Sequence, residues 1–286
     1  MTDAALCPRS LAEALGARRA DPDAVVVAGG TDVMVAVNRG AQPRLLDLSR
    51  VPELKEWRRD DGSTFLGSGV TFARIADGVG GLRPLQDAAR SVGSPQIRIR
   101  ATLGGNLGTA SPAGDGIAVL AAYDAKVVVA AEGATRTLRW EEFLLGPKQT
   151  ALRPDELIIG SEWETMRGPG VFAKVGTRNA MVIAIASIAV NLDVEHHRVR
   201  LALGSVAPTV IRAAEAEAFA ADAIDWTDRE RPLDDRVAAE FAMLATEAAR
   251  PISDLRGSAV YRRHAIGVLA RRALGWMRDD WRAGGW

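Results

Sequence analysis

The sequence of 286 residues contains one cysteine, Cys7, and no excess of charge. A single thiol excludes an intramolecular disulfide, a thiolate zinc site and an iron–sulfur cluster within this chain. The 36 basic residues face 36 acidic ones, so the formal net charge is zero and nothing favours a nucleic acid as partner. These absences direct attention to small-molecule and protein partners.

Long hydrophobic runs are also missing. The longest apolar segment, residues 181–190, is half the length of about 20 residues that a membrane-spanning helix needs, and it contains Ser187. The N-terminus lacks the basic-then-apolar pattern of a signal peptide. We therefore expect a cytoplasmic protein without a membrane span. With 48% apolar and 25% charged residues, the composition is that of an ordinary globular protein with ample core.

Glycine is concentrated in residues 101–115, where four glycines stand beside two threonines, Asn106, Ser111 and Asp115, without lysine or arginine. Glycine loses more conformational entropy on folding than other residues, so such a cluster indicates a close approach of main chain to a ligand. Successive main-chain amides in turns can converge on an anion. We interpret this segment as a ligand-binding loop; the alternative is a long surface loop.

A shorter stretch, residues 25–32, has a related pattern. Residues 24–28 predict a strand buried on both faces, which Gly29 and Gly30 end. Thr31 and Asp32 are then placed to cap a helix over residues 33–38. A strand, a glycine turn and a helix in this order can bind phosphate, although a tight turn without ligand has the same sequence. Together the two stretches predict a site for a cofactor that contains a pyrophosphate.

The remaining pattern predicts mixed α/β structure as far as a joint at residues 169–170, then an antiparallel meander, then helices. We expect the last helix to carry its arginines on a solvated face or an interface, and Trp281 and Trp286 to dock on another surface. His196 and His197 lie at a bend without a third ligand nearby, which favours a solvated turn over a metal site. Further elements are expected as helices at 10–20, 84–92, 237–244 and 261–276 and as strands at 44–48, 65–71, 96–100, 126–131, 156–164, 171–175, 181–193 and 198–206. Ser10 and Glu13 form a capping-box pair at the start of the first of these helices.

Both glycine stretches are similar to motifs of a known family. Residues 27–32 (VAGGTD) and 102–106 (TLGGN) resemble the FAD-binding medium subunit of the molybdenum hydroxylases, the xanthine dehydrogenase and aerobic carbon monoxide dehydrogenase family. The chain departs from the family pattern at Ile99 and Val182, neither of which is a core cofactor position. The similarity spans nearly the whole chain, with further matches at 8–15, 94–98, 110–112 with Asp115, 146–150, 154–157 and 172–174 with Arg178.

The resemblance implies an α+β protein with the vanillyl-alcohol-oxidase-like (PCMH-type) FAD-binding fold. In that fold two α/β subdomains clasp the flavin, and a C-terminal domain of antiparallel sheet plus helices follows. On this chain the FAD-binding domain would cover residues 1–170, with subdomains of about 1–55 and 56–170. The C-terminal domain would then cover residues 171–286.

The resemblance also implies how residues hold a non-covalent FAD. The two glycine stretches would surround the pyrophosphate and ribityl chain, Leu157 or Ile158 would lie along the ring, and Lys174 near its polar side. A cation there favours the negative charge that reduction places on the flavin; the alternative for Lys174 is a surface strand residue. No catalytic residue and no metal ligand is expected. The expected cofactor-binding residues are Val27, Ala28, Gly29, Gly30, Thr31, Asp32, Val33, Val92, Gly93, Ala101, Thr102, Gly104, Gly105, Asn106, Gly108, Thr109, Asp115, Leu157, Ile158 and Lys174.

In this family the substrate is oxidised at a molybdenum centre on a large subunit, and electrons cross two iron–sulfur clusters on a small subunit to reach FAD. The resemblance thus implies an electron-transfer subunit of a heterotrimer or its dimer, which passes electrons to NAD, a quinone or O₂. The molybdenum cofactor and the 2Fe–2S clusters would lie on the partner subunits, in agreement with the single cysteine. Two alternatives stay open: a stand-alone FAD-dependent reductase or oxidase that shares the fold, and a scaffold that has lost its flavin.

Overall fold

A computed structural model of the chain describes residues 5–60, 62–284 and 286, which form two compact units. The first unit comprises the described residues up to Gly80, then 93–111 and 125–164. The second unit comprises residues 81–92, 112–124 and the described residues from 165 onward. The domain limits expected from the sequence, at about residues 55 and 170, stay a prediction.

The secondary structure alternates between the two classes along the chain. The strands are β1 (Ala5–Leu6), β2 (Val25–Val27), β3 (Leu45–Asp47), β4 (Trp57–Arg59), β5 (Ser63–Gly67), β6 (Lys126–Ala131), β7 (Ala134–Arg139), β8 (Leu144–Gly146), β9 (Gln149–Thr150), β10 (Leu157–Glu164), β11 (Gly170–Val175), β12 (Ala186–Asp193), β13 (Arg198–Gly204) and β14 (Ile211–Arg212). The α-helices are α1 (Leu11–Ala20), α2 (Val33–Asn38), α3 (Phe72–Ala76), α4 (Arg83–Ser91), α5 (Pro95–Arg98), α6 (Leu103–Thr109), α7 (Asp115–Ala122), α8 (Trp140–Phe143), α9 (Ala214–Ala223), α10 (Asp235–Ala248) and α11 (Ala259–Ala283).

The first unit contains a small parallel sheet in the order β1-β3-β2. The prediction that residues 24–28 form a strand buried on both faces is wrong, because β2 is an edge strand of three residues and the side chain of Val25 is exposed. Helix α1 begins after Ser10, whose hydroxyl accepts from the amide of Glu13 as the sequence predicts. Apolar side chains of α1, β3 and β10 share one small core.

A second sheet of the first unit has the order β4-β5-β10-β6-β7, and all its neighbours are antiparallel. Strand β10 lies at its centre, with Ile158 paired to Val129 of β6. The register shifts between Ile158 and Gly160, which marks a bulge in β10. This bulge lies beside the residues that the sequence assigns to the ring of the cofactor.

Two predictions about residues 95–110 are wrong. Residues 96–100 do not form a strand, because Ser94 caps a helical turn and Pro95 occupies its first position. Residues 101–115 do not form a continuous loop either, since Leu103–Thr109 is the helix α6. The hydroxyl of Thr102 caps α6, and Leu103 and Leu107, four residues apart, bury the same face. These two leucines outweigh the low helix propensity of the glycines.

The second unit contains an antiparallel sheet in the order β11-β12-β13-β14. All eight residues of β12 are buried, and side chains of β12 and β13 share a core with α9, α10 and α11. The predicted meander and helices are confirmed, but β12 begins only at Ala186. The preceding segment turns instead, with Met181 at φ 51° and the guanidinium of Arg178 donating to the carbonyl of Ala180.

Several side chains of the second unit differ from expectation. Trp281 was expected to dock on another surface, but it is buried in the core of this unit. Arg262 of the predicted solvated face is also buried. His196 and His197, by contrast, lie in an exposed turn as expected, where His197 stacks on Trp226 and His196 lies 3.0 Å from a carboxylate oxygen of Asp193. Among the described residues no helix is both long and apolar enough to cross a membrane.

Candidate functional site

The turn after β2 lies directly on the main chain that precedes α6. A Cβ atom on Gly29 would stand 2.0 Å from the carbonyl oxygen of Arg100 and 3.0 Å from the Cα of Ala101. No side chain fits at that distance, so this contact requires glycine. Gly30 follows with φ at 77°, a conformation that glycine adopts without strain.

The far end of the same turn is attached to the other end of α6. The hydroxyl of Thr109 donates to the carboxylate of Asp32 at 2.7 Å. Asp32 was predicted to cap α2, but its side chain makes no capping hydrogen bond to that helix. Because Gly29 contacts the residues before α6 and Asp32 binds its last residue, the turn runs alongside the helix.

The glycines of α6 divide between packing and open surface. Gly104 packs on Ser68: its amide donates to the Ser68 carbonyl at 2.8 Å, and a Cβ would stand 2.4 Å from the Ser68 side chain. Gly105 and Gly108 are exposed on another face and have no atom closer than 3.2 Å to an added Cβ. Helix α6 therefore presents a bare strip of main chain at two positions three residues apart.

The main-chain amides of the turn after β2 and those of helix α6 differ in their hydrogen-bond partners. Among the described residues, no acceptor binds the amides of Gly29–Asp32. The amides of α6 are used, since Gly104 donates to Ser68, Gly105 to the Thr102 hydroxyl and Asn106 to the Thr102 carbonyl. The Asn106 side-chain oxygen is inaccessible to solvent and accepts from no donor in the part of the chain that the structure describes. The arrangement can therefore hold an anion through the turn and admit a bulky group over the bare strip of α6.

Leu157 and Ile158, the two candidates for the ring position, face opposite sides of β10. Leu157 packs in the small core with Leu46 and Leu54. The side chain of Ile158 lies 3.5 Å from the place of a Cβ on Gly108. Only Ile158 therefore lies beside the bare strip of α6.

The second unit holds a buried ion pair between Lys174 of β11 and Asp115, the first residue of α7. The ammonium donates to the Asp115 carboxylate at 2.6 Å, to the Ser91 carbonyl at 3.0 Å and to the Val182 carbonyl at 3.2 Å. Its three N–H groups thus all have partners. Burial raises the pKa of Asp115, and the neighbouring Lys174 opposes that rise. The other Asp115 oxygen is buried and accepts from no described donor.

The structure brings part of the predicted set together. The first unit contains residues 27–33, Gly93, 101–109, Leu157 and Ile158, whereas Val92, Asp115 and Lys174 belong to the second unit. Sequence analysis missed Ser68 and Ser91, which support Gly104 and Lys174. The glycines on both sides of Ser68 indicate close packing of the main chain there, whereas no sequence pattern indicated a role for Ser91. Among the described residues no group of three histidine, cysteine or carboxylate side chains can hold a metal ion.

Comparison with known proteins identifies relatives along most of the chain. Residues 2–160 match the family described as FAD binding domain in molybdopterin dehydrogenase, and residues 172–277 match the CO dehydrogenase flavoprotein C-terminal domain. The nicotine 6-hydroxylase medium subunit of Paenarthrobacter nicotinovorans is 32% identical over 283 residues, which cover 93% of this chain and 94% of that one. The carbon monoxide dehydrogenase medium chain of Hydrogenophaga pseudoflava is 29% identical over 290 residues, with 93% and 94% covered.

A solved structure shows the same architecture. The crystal structure of quinoline 2-oxidoreductase from Pseudomonas putida 86 contains a chain that superposes with a TM-score of 0.85 and 26% sequence identity, and 97% of each chain is covered. The predicted fold class is therefore confirmed.

Proposed function

Because this chain belongs to the family of FAD-binding subunits of molybdopterin-dependent dehydrogenases, we propose that it is the electron-transfer subunit of such a complex. It receives electrons from iron–sulfur clusters of a partner subunit and passes them to NAD, a quinone or O₂. FAD supplies this chemistry because a flavin accepts and releases electrons reversibly. The residues of this chain bind and orient the cofactor.

One observation carries this proposal: the free amides of Gly29–Asp32 lie alongside the bare strip of α6. A dinucleotide joins its halves through a pyrophosphate, which main-chain amides in a turn can hold without a lysine or arginine. The absence of side chains at Gly105 and Gly108 leaves room for the rest of the cofactor beside that turn. The residues present therefore fit FAD.

The other predicted contacts receive different support. In α6 the Asn106 side chain offers the unpaired group, while the amides of that stretch are already used. Ile158, rather than Leu157, is our proposed residue for the ring. Asp115 offers a buried, unpaired oxygen that can accept from an N–H group of the cofactor. Lys174 holds that carboxylate in place, which gives it a positioning role.

We propose two partners, a large subunit with the molybdenum cofactor and a small subunit with two 2Fe–2S clusters, in a heterotrimer or its dimer. The names of the two relatives support a complex of several chains, since one is called a medium subunit and the other a medium chain. The single cysteine of this chain supports clusters on another polypeptide. The cytoplasmic location expected from the sequence stays a prediction.

A titration of the purified chain with FAD, followed by quenching of flavin fluorescence, tests the proposal. The wild-type chain is expected to bind one FAD without a covalent bond. Gly108→Ala should stabilise the empty chain by about 0.5–1 kcal/mol, because alanine favours a helix over glycine. It should nevertheless weaken FAD binding about tenfold, since about 1.4 kcal/mol of lost contact corresponds to that factor.

Gly16→Ala is the matched control. Gly16 also lies inside a helix, with no atom within 4 Å of an added Cβ, so the substitution should stabilise without a change in FAD affinity. A wild-type chain that takes up no FAD, or a Gly108→Ala chain that binds FAD as tightly as wild type, contradicts the proposed site.

A further inference from the structure

A short turn of the second unit, Asp254–Gly257, presents a leucine to solvent; we call it the Leu255 turn. Its ends are joined by two main-chain hydrogen bonds, from Asp254 to Gly257 at 3.1 Å and back at 3.2 Å. The Asp254 carboxylate accepts from the amide of Arg256 at 2.8 Å. Leu255 at the tip is fully exposed, at 107% of its reference area. Turn tips favour glycine, proline, asparagine, aspartate and serine, so a leucine there needs another explanation.

The Leu255 turn is fixed to the body of the second unit by Arg262 of α11. This buried guanidinium donates to the Asp254 carboxylate at 2.7 Å, to the Ile185 carbonyl at 2.6 Å and to the Ser205 carbonyl at 2.9 Å. The main chain on both sides of Leu255 is thereby held in one conformation. A side chain on a rigid turn loses little entropy on binding, which favours its use in an interface.

Further exposed apolar side chains lie on the segments next to the Leu255 turn. Gly257 connects the turn to its neighbours, since the place of its Cβ lies 3.1 Å from Ile185 and 3.7 Å from Tyr261. The apolar patch, as we name it, consists of Met181, Ile183, Ile252, Leu255, Val260 and Tyr261, each at least 45% exposed. Exposed apolar side chains concentrated in neighbouring segments favour a site of protein–protein contact.

The charges of the same segments select the kind of partner. Residues 176–185 and 250–264 contain five arginines and one acidic residue, Asp254, which gives a net charge of +5 − 1 = +4 with histidine neutral. Asp254 already binds Arg262, so the remaining exposed charges of these two segments are arginines. A second copy of this chain, docked by the same face, would bring like charges together. A different chain with carboxylates around an apolar socket has no such penalty.

We propose that the Leu255 turn is the anchor by which this chain docks on a companion subunit, in an apolar socket rimmed by carboxylates. The inference rests on the proposed function, because it requires that the chain belongs to a complex with companion subunits. The two are nevertheless measured separately: FAD per chain reports on the proposed function, and molybdenum and iron per chain report on docking.

The experiment uses a tagged chain produced in its native host and purified with its companions. Molybdenum and iron per chain are measured by elemental analysis, and FAD by absorbance. Leu255→Asp is expected to lower both metals at least tenfold while FAD per chain and the Tm of the chain stay unchanged. Arg263→Glu should lower the metals less, and its effect should disappear at high salt, where surface charges are screened. Met243→Asp, an exposed residue of α10 outside the patch, is the matched control and should change nothing.

Retention of both metals by the Leu255→Asp chain overturns the proposal. So does a wild-type chain that carries FAD and no metal-containing companion. A wild-type dimer of this chain that Leu255→Asp converts to a monomer in size-exclusion chromatography would assign the patch to a second copy and equally reject the companion subunit.

Discussion

The predicted cofactor residues of the two units differ in the kind of group they offer and in whether that group already has a hydrogen-bond partner. In the first unit the donors are main-chain amides, and those of Gly29–Asp32 bind no acceptor among the described residues. In the second unit the groups are charged side chains, and all N–H groups of Lys174 have partners. Unused donors gain hydrogen bonds when a ligand arrives, whereas the Lys174 ammonium has already made its own. Ligand affinity should therefore depend most on the first unit, and stability on the pair in the second.

Folding also shifts the pKa values of two carboxyl groups, one in each unit, in opposite directions. In the first unit the Arg136 guanidinium, hydrogen-bonded to Glu156 at 2.6 Å, lowers the pKa of that carboxyl. In the second unit burial raises the pKa of Asp115. Folding thus favours the charged form of Glu156 and the neutral form of Asp115, so the pH dependence of stability separates their contributions.

The largest effect is expected from Lys174→Met. Removal of the ammonium leaves a buried carboxylate without its cation, which costs about 3–5 kcal/mol of unfolding free energy at neutral pH. Because the pKa of Asp115 is raised in the folded chain, its contribution is fully present below about 3.8 and is lost as the pH rises through the raised value. The deficit of Lys174→Met should therefore shrink on acidification. Urea unfolding at several pH values measures it.

The double variant Lys174→Met with Asp115→Asn tests whether the unpaired Asp115 carboxylate causes the loss of stability. The neutral pair should be more stable than Lys174→Met alone, and its difference from wild type should not shrink with acid. Lys126→Met, which removes an exposed lysine, should stay within about 0.5 kcal/mol of wild type. A double variant no more stable than the single one would show that the unpaired charge is not the cause.

Gly29→Ala should cause the next largest loss, and mainly in ligand binding. The added Cβ has only 2.0 Å to the Arg100 carbonyl oxygen, so the turn must move away from α6. We expect a cost of about 2–3 kcal/mol, as for other overpacked sites, and a loss of FAD affinity of about a hundredfold. Calorimetry gives the stability and a fluorescence titration the affinity. An affinity equal to wild type would remove the turn from the site.

Glu156→Gln should have a smaller effect, confined to stability. Gln keeps the shape of Glu156 but loses the charge that binds Arg136 in two hydrogen bonds, which costs about 1–2 kcal/mol at neutral pH. The wild-type contribution is present above about 4.5 and is lost as the pH falls through the lowered pKa. Unfolding curves of the variant should therefore depend less on pH below 4.5. An unchanged acid dependence would assign it to other carboxyl groups.

Local features of both units were predictable because short-range chemistry decides them. Ser10 and its capped helix followed from the sequence, and so did the meander of β11, β12 and β13. The burial of the strand of residues 25–27 was misjudged because burial depends on the position of a strand in its sheet. β2 lies at the edge, and a run of valines does not show whether a strand is central or at an edge. Helix α6 was misjudged because the burial of Leu103 and Leu107 is a tertiary effect.

The separate roles of the two glycine stretches were not predictable. They depend on contacts between residues far apart in the chain: Gly29 with Arg100, Asp32 with Thr109 at a separation of 77 residues, and Asp115 with Lys174 at 59. Sequence pattern predicted which residue types approach a ligand. It did not show that the amides of α6 are already used and those of the other turn are free.

The smallest expected effect, that of Thr109→Val, examines how the first unit keeps its turn beside α6. Valine preserves the shape of threonine but cannot donate to Asp32, and water replaces this exposed bond, so stability should fall by no more than about 1 kcal/mol. FAD affinity should fall about fivefold if the bond sets the position of the turn, and Thr109→Ser should restore it. Asp32→Ala should match Thr109→Val, and the double variant should lose no more than either alone, because the two side chains act as one unit. Additive losses would mean that each side chain contacts the cofactor by itself, and a gain for Asp32→Ala would mean that the carboxylate repels the phosphates.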